Sequence, residues 1–398
     1  MKHFNFWLYI SRACNLRCTY CYQRHQRDMM TLHTAKITIE WIIKNAAEFN
    51  VNTISLDYYG GEPLLNFDVF KYLLEYSTQL SKQNGITVDH CLFTNGMLMD
   101  SKTIELIKQF GVTTQMSIDG PPEVHDANRI NVNGDGSYKK IIDNMRKNRA
   151  IEELSPIASM VVTPENIKSF YDNIIYLRDL GFKRIIYHLA LDKDVQWGKE
   201  EAIQLLEAIV KIINVINLKF SNGGMTSDLM VQPLMDFSYS YYRELLRQED
   251  GKKNISENST IKCGAGRNNF SINYNGDIYP CSRIVDDINI DEVKNNYRIG
   301  NVHLGIWNKE NLEKFKSWMP RMSRSSKCSE CNHRYCCSYQ CFALSENNPD
   351  HLGNSTSKES IIACTVTETI ANEIKTRVPK IPIVPTAPTM DTKETLDA

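Results

Sequence analysis

The sequence predicts an α/β fold in which a partial (βα)6 barrel is followed by a small cysteine-rich domain. Three observations lead there. From residue 3 to about 220, short runs of β-branched and aromatic residues alternate with longer stretches of helical periodicity, the rhythm of parallel strands joined by crossover helices. Around Phe220–Lys262 that rhythm breaks into the loop-like SNGGMTSD and the polar QEDGKKNISENST. Beyond the break, eight of the twelve cysteines fall between Cys263 and Thr376, a density that implies metal in place of a large apolar core.

Taken in order, the expected strands are His3–Ile10, Thr53–Tyr58, Thr87–Phe93, Val112–Ile118, Ile157–Val162 and Arg184–Ala190. Helical stretches such as Thr34–Phe49 and Asn166–Leu180 come between them. Right-handed crossovers repeated this way curl a parallel sheet toward a barrel, with chemistry expected at the C-terminal strand ends. The barrel is expected to occupy residues 1–225, a linker 226–262, and the cysteine-rich domain 263–376. Residues 377–398, rich in proline and lacking periodicity, read as a flexible tail.

The chain has 398 residues, 42% hydrophobic and 23% charged, enough for one large and one smaller domain. A formal net charge of −1 provides no field for nucleic acid or an anionic membrane. No long apolar segment ends in a cleavage site and no 18-residue uncharged apolar run occurs, so a cytoplasmic location is expected. Bunched cysteines in a reducing compartment argue for metal ligation over disulfides.

Cys14, Cys18 and Cys21 form C-x3-C-x2-C directly after the first strand. A four-iron cubane normally takes four cysteines, so three leave one iron open to a cofactor or substrate. A zinc site is the competing reading, but zinc prefers four protein ligands. Glycine-bearing turns come after the next strands: Tyr59-Gly60-Gly61-Glu62-Pro63, Thr94-Asn95-Gly96 and Ser117-Ile118-Asp119-Gly120. Any one alone reads as an ordinary turn; together with the cysteine loop they lie in register at the ends of four successive strands.

CNLRCTYC, with the aromatic Tyr20, resembles the signature loop of the radical S-adenosylmethionine (SAM) superfamily, and the GGEP turn is similar to that family's. The resemblance implies that Cys14, Cys18 and Cys21 hold a [4Fe–4S] cluster. It also implies that Tyr20, Gly60, Gly61, Glu62, Pro63, Asn95, Ser117, Asp119 and Arg129 form the SAM site, with Ser117 and Arg129 on the carboxylate, which a planar guanidinium suits. The stretch Val124-His125-Asp126-Ala127-Asn128-Arg129 resembles the peptide- and protein-modifying branch.

In the second half, Cys263-x12-Gly276-x4-Cys281, then Cys328-x2-Cys331-x5-Cys337-x3-Cys341 and finally Cys364 resemble the SPASM domain. Spacing alone would also allow a zinc ribbon over Cys328–Cys341. The resemblance implies an outer auxiliary cluster on Cys328, Cys331, Cys337 and Cys364 and an inner one on Cys263, Cys281 and Cys341, giving three [4Fe–4S] clusters in all. The inner cluster then lacks a ligand, since Glu257 stands where related enzymes place a further cysteine. Cys336 and Cys91 are left over, the latter expected to be a buried structural thiol.

By the same resemblance, the chain is expected to cleave SAM reductively and to abstract hydrogen from a peptide or protein. The sulfatase-maturing branch forms formylglycine, but the aspartate it carries after the second SPASM cysteine is Ser282 here. The Cys263-Gly264-Ala265-Gly266 run is instead similar to maturases that form thioether or carbon–carbon cross-links in ribosomal peptides, and that is the favoured expectation. Formylglycine formation and a non-catalytic zinc scaffold are the alternatives. An electron donor such as flavodoxin or ferredoxin is implied. With thirteen residues before Cys14, substrate selection is expected from a separate leader-recognition protein or from the barrel and SPASM surfaces.

Overall fold

The computed structural model describes residues 3–23, 26–190, 195, 197–216, 218–221, 224–232, 234–236, 238, 264–286, 297–313 and 358–377. Six parallel strands stand where the sequence placed them: β1 (His3–Ser11), β2 (Thr53–Gly60), β3 (Thr87–Thr94), β4 (Thr113–Ser117), β5 (Ile157–Val162) and β6 (Arg184–Leu189). Each crossover is helical: α1 (Leu32–Glu48), α2 (Phe67–Gln83), α3 (Ser101–Phe110), then α4 (Pro122–Asn128), α5 (Tyr138–Lys147) and α6 (Ala150–Leu154) between β4 and β5, and α7 (Phe170–Asp179) before β6. α8 (Lys199–Val215) comes after β6.

Local chemistry sets the helix ends. The Thr31 hydroxyl accepts from Thr34 N at 3.1 Å to start α1, and Asp100 accepts from Thr103 N at 2.8 Å to start α3. α3 stops at Gly111, whose φ of +62° is the left-handed conformation glycine takes freely. Asn166–Leu180, expected as one helix, opens as a 3-10 turn over Ile167–Ser169 and becomes α-helical only at Phe170.

Strand alternation separates core from lumen. Phe6, Leu8 and Ile10 of β1, Ile54, Leu56 and Tyr58 of β2, and Ile185 and Tyr187 of β6 join the core against the helices. Burying each such side chain contributes about 1.5–3 kcal/mol. Asn5, Trp7, Tyr9 and Ser11 therefore face inward, as do Asp57, Tyr59 and His188. Cys91 departs from expectation. It is half-buried, and its register neighbours are Asp57 and Thr113, so it belongs to the inner face instead of an apolar core.

Two features bear on the domain layout. The stretch 226–262, expected as a linker, contains β9 (Met230–Gln232), which pairs parallel to β6 and extends the sheet. β7 (Lys219–Ser221) and β8 (Gly224–Thr226) form a separate hairpin just before it. At the other edge β10 (Asn269–Ile272) pairs parallel to β1, then leads into the antiparallel β11 (Asp277–Tyr279), β12 (Gly300–Asn301) and β13 (Gly305–Ile306). One 11-stranded sheet thus carries both the barrel and the start of the cysteine-rich segment. The physical reason is an unpaired β1 edge, whose backbone donors and acceptors the later strand satisfies. The helix Lys358–Arg377 packs on α8, burying Val366, Ile370, Ala371 and Ile374.

Candidate functional site

The C-terminal ends of β1 to β4 meet at one rim, and the loop bearing Cys14, Cys18 and Cys21 is fastened there from two sides. Gly61 N–H and Glu62 N–H donate to the carbonyls of Ser11 and Ala13, each at 2.8 Å. From the end of α4 and the residues just after it, the carbonyls of Ile130 and Asn128 accept from Arg17 N at 2.7 Å and Thr19 N at 3.0 Å. The Thr19 hydroxyl adds a 2.6 Å bond to Asn128 Oδ1. Nη1 of Arg17 donates to the Cys14 and Leu16 carbonyls at 2.8 and 2.7 Å.

Glycine is obligatory in the turn after β2. Gly60 has φ +127°, and a Cβ there would lie 2.0 Å from the Ser11 carbonyl oxygen; at Gly61 it would lie 2.3 Å from that of Ala13. The paired glycines bring two backbones together under the cysteine loop. Glu62 is fully buried, accepting from Leu64 N (3.1 Å), Thr94 Oγ1 (2.8 Å) and Asn95 N (2.7 Å). Burial pushes its carboxyl up to about 7, against those three donors. It joins the β2 and β3 turns, while Pro63 begins the 3-10 turn Pro63–Asn66. The Asn95 amide reaches back to the loop, donating to Asn15 Oδ1 at 2.7 Å and lying 3.8 Å from Cys14 Sγ.

After β4, Asp119 is fully buried and organises a second cluster. Arg129 grips it with Nε and Nη2, both at 3.0 Å; Val161 N donates at 3.0 Å, and the Tyr20 hydroxyl donates a short hydrogen bond to the same carboxylate. The Arg129 guanidinium also lies 5.4 Å from the Tyr20 ring centre. One edge of Arg129, Nε and Nη2, is therefore committed to Asp119. Ser117 is half-buried and makes no side-chain hydrogen bond among the described residues.

His125 stands out in the sequence only as part of a motif; its work is structural. Nδ1 accepts from Asp119 N at 3.4 Å, Nε2 meets Ser137 Oγ at 2.9 Å, and that hydroxyl donates to the Arg129 carbonyl at 2.7 Å. Burial lowers its pKa from 6.5 to about 4. A depressed imidazole stabilises the fold fully above 6.5, and that contribution is lost as pH falls toward 4. His125→Gln is expected to flatten the fall of the thermal midpoint over that range, measured by circular dichroism; an unchanged slope would mean the imidazole titrates normally.

The cysteines suit a cluster. All three are half-buried. Burial pushes Cys14 up to about 12, with Glu62, Cys18 and Cys21 adding to the rise. Burial raises Cys18 as well, opposed by the Arg129 charge. Iron binding must displace those protons. Among the described residues no three Cys, His, Asp or Glu side chains converge as they would on a single metal ion. Three half-buried thiols on one clasped loop are the donor set of a four-iron cubane that keeps one iron without a protein ligand.

Of the second array, Cys281 is described, half-buried against the small cluster of Tyr9, Ala265, Tyr279, Ile284, Val285 and Tyr297. Cys364 lies within the helix Lys358–Arg377. Cys263, Cys328, Cys331, Cys336, Cys337, Cys341 and Glu257 lie outside the described residues. Two contacts that no local sequence signal marks connect this segment to the barrel. The Tyr9 hydroxyl donates to the Ser282 carbonyl at 2.7 Å, and Arg283 sits 4.2 Å from the ring centre of Tyr22, whose hydroxyl is 2.8 Å from that of Tyr59.

Residues 8–206 match the radical SAM superfamily and residues 263–332 match SPASM, an iron–sulfur cluster-binding domain. The chain belongs to the radical SAM superfamily and carries a SPASM domain. That match stands against the zinc-ribbon reading. Relatives include a serine-type anaerobic sulfatase-maturating enzyme of Bacteroides thetaiotaomicron (22% identity, covering 83% of this chain and 80% of the relative) and a cysteine-type one of Clostridium novyi (25%, 85% and 87%). A radical SAM cyclopropyl synthase of Paramaledivibacter caminithermalis is 25% identical over 54% of this chain and 47% of its own. The fold is also that of anSMEcpe with bound AdoMet (TM-score 0.68, 18% identity, 94% and 97% covered) and of Streptococcus suis SuiB bound to its precursor peptide (0.59, 18%, 87% and 73%). No described helix is long and apolar enough to cross a membrane.

Proposed function

We propose that this chain oxidises a ribosomally made peptide by two hydrogens, forming a thioether or carbon–carbon cross-link, with three [4Fe–4S] clusters and SAM as cofactors. The observation that carries the reading is the clasped three-thiol loop at the barrel rim, with the start of the SPASM segment hydrogen-bonded to β1 beside it. When bound, the cluster and SAM supply a 5′-deoxyadenosyl radical that takes a hydrogen atom from the substrate. The protein's share is placement. Cys14, Cys18 and Cys21 would hold the cluster, Gly60 and Gly61 let the turn press against its loop, and Asp119 orients Arg129 toward the rim where the SAM carboxylate would lie.

Substrate-facing walls are aromatic. Trp7, Tyr59 and Phe93 have ring centres 4.9 to 5.2 Å apart on the inner face, a dry surface against which a radical is shielded from water. Formylglycine formation is the second reading, supported by the sulfatase-maturating relatives that match along most of their length. A leader-recognition protein and a flavodoxin or ferredoxin donor complete the proposed system in the cytoplasm.

Anaerobically purified protein should contain about twelve irons per chain and, with a strong reductant, convert SAM to 5′-deoxyadenosine. Mass spectrometry on synthetic peptides, in which one cysteine is followed by each other residue type in turn, separates the products. A cross-link loses two hydrogens and keeps sulfur, whereas formylglycine loses the sulfur. Absence of 5′-deoxyadenosine from iron-loaded protein would end both readings.

A further inference from the structure

Removing two hydrogens from a cysteine-containing peptide takes more than a radical. One hydrogen leaves as an atom; the other is the thiol proton, and a base must receive it. Most titratable side chains at the rim are already engaged in the structure. The Asp119 carboxylate is held by Arg129, Val161 N and Tyr20, that of Glu62 by Leu64, Thr94 and Asn95, and both His125 nitrogens are engaged. Asp57 lies deeper, at the level of Trp7, only 7% exposed and bound by Asn5 Nδ2 at 2.9 Å. Ser282 comes directly after Cys281 and is a hydroxyl, a poor base.

His188 differs from all of these. It stands near the C-terminal end of β6, and its neighbour Tyr187 packs outward on Phe170 of α7, with ring centres 5.0 Å apart, so alternation turns the imidazole into the lumen. Its side chain is exposed and has no hydrogen-bond partner among the described residues. In register it faces Val161, the residue whose N–H is held by Asp119, which places it one strand from the Arg129 cluster. Although solvent reaches it, the surrounding atoms desolvate it, and Arg129 of the barrel and Arg283 of the SPASM segment both lie within range of its charge. That desolvation, with the two arginines, lowers its pKa below 6.5 and keeps the imidazole neutral at neutral pH.

We propose that His188 is the general base that accepts the S–H proton of a substrate cysteine. The proposal rests on the peptide-oxidation reading. The step balances: a carbon-bound hydrogen atom goes to the 5′-deoxyadenosyl radical, the thiol proton to a ring nitrogen of His188, and one electron to an iron–sulfur cluster of the SPASM domain. The S–H and C–H bonds break and a carbon–sulfur bond forms. It is a single bond to a second residue in a thioether, or a second bond to Cβ in a thioaldehyde that water hydrolyses to formylglycine.

The test uses the full-length, iron-loaded chain, SAM, a reductant and the cysteine peptide panel. In His188→Ala, peptide product is expected to fall about 100-fold while 5′-deoxyadenosine formation stays within about threefold of wild type, and added imidazole should restore product at least about tenfold. Wild-type product formation should decline as pH drops through the lowered imidazole pKa, and His188→Gln, with unchanged iron content, should lose that limb. Product from His188→Ala within about threefold of wild type, or a parallel loss of product and 5′-deoxyadenosine that imidazole does not rescue, overturns the assignment. A wild-type chain that cleaves SAM yet converts no cysteine peptide overturns the thioether and formylglycine readings, and the role of His188 with them.

Discussion

Replacing any one of Cys14, Cys18 and Cys21 with alanine is expected to remove one cluster, about four irons per chain, and to cut 5′-deoxyadenosine formation at least about a thousandfold, roughly 4 kcal/mol of barrier. The loss should be specific because the loop has backbone anchors of its own. Backbone bonds from Gly61, Glu62, Arg17 and Thr19 hold it whichever cysteine is changed. The folded state should therefore survive, with a normal circular dichroism spectrum beside a missing cluster absorbance. Cys91→Ala is the control, since Cys91 lies on the inner face of β3 away from the loop, and its iron content should equal that of wild type. Full iron and full SAM cleavage in Cys18→Ala would remove the basis of the radical assignment.

A second large effect is expected at the turn after β2. Gly60→Ala places a methyl 2.0 Å from a carbonyl oxygen at φ +127°, and Gly61→Ala places one 2.3 Å from another. The obstructing atoms are backbone, held by the β1–β2 ladder, so no side chain can rotate away. Either variant is expected to lose more than about 4 kcal/mol of stability and to fail to retain the cluster, because Gly61 and Glu62 N–H are what anchor Ser11 and Ala13. Gly85→Ala provides the comparison. It also has a positive φ, +66°, but a Cβ there meets nothing within 4 Å, so its cost should stay near about 1 kcal/mol. Urea unfolding of the three variants would decide the matter, and equal midpoints would show that the turn relaxes easily.

How much of this molecule was legible in advance depends on the range of the forces involved. The six barrel strands could be placed because alternation of core and lumen residues, as in Phe6-Trp7-Leu8-Tyr9-Ile10, is written locally, and so were the glycines whose conformations close the rim turns. The cysteine spacing likewise announced its chemistry, since three thiols within eight residues share one loop wherever the chain goes. Strand β9 was hidden, because Met-Val-Gln is too short to carry a period, and its pairing with β6 is settled by an open sheet edge.

A parallel α/β barrel, an iron–sulfur loop at its rim and a cysteine-rich segment beyond it can all be read from the residues alone, because each is encoded by neighbours within a few positions. It took the folded chain to show that Asp119 takes one edge of Arg129, that β10 continues the barrel sheet from β1, and that the His188 imidazole stays without a hydrogen-bond partner among the described residues. These depend on residues from ten to more than two hundred and sixty positions apart, and such meetings are set by sheet register and burial, which no local pattern records.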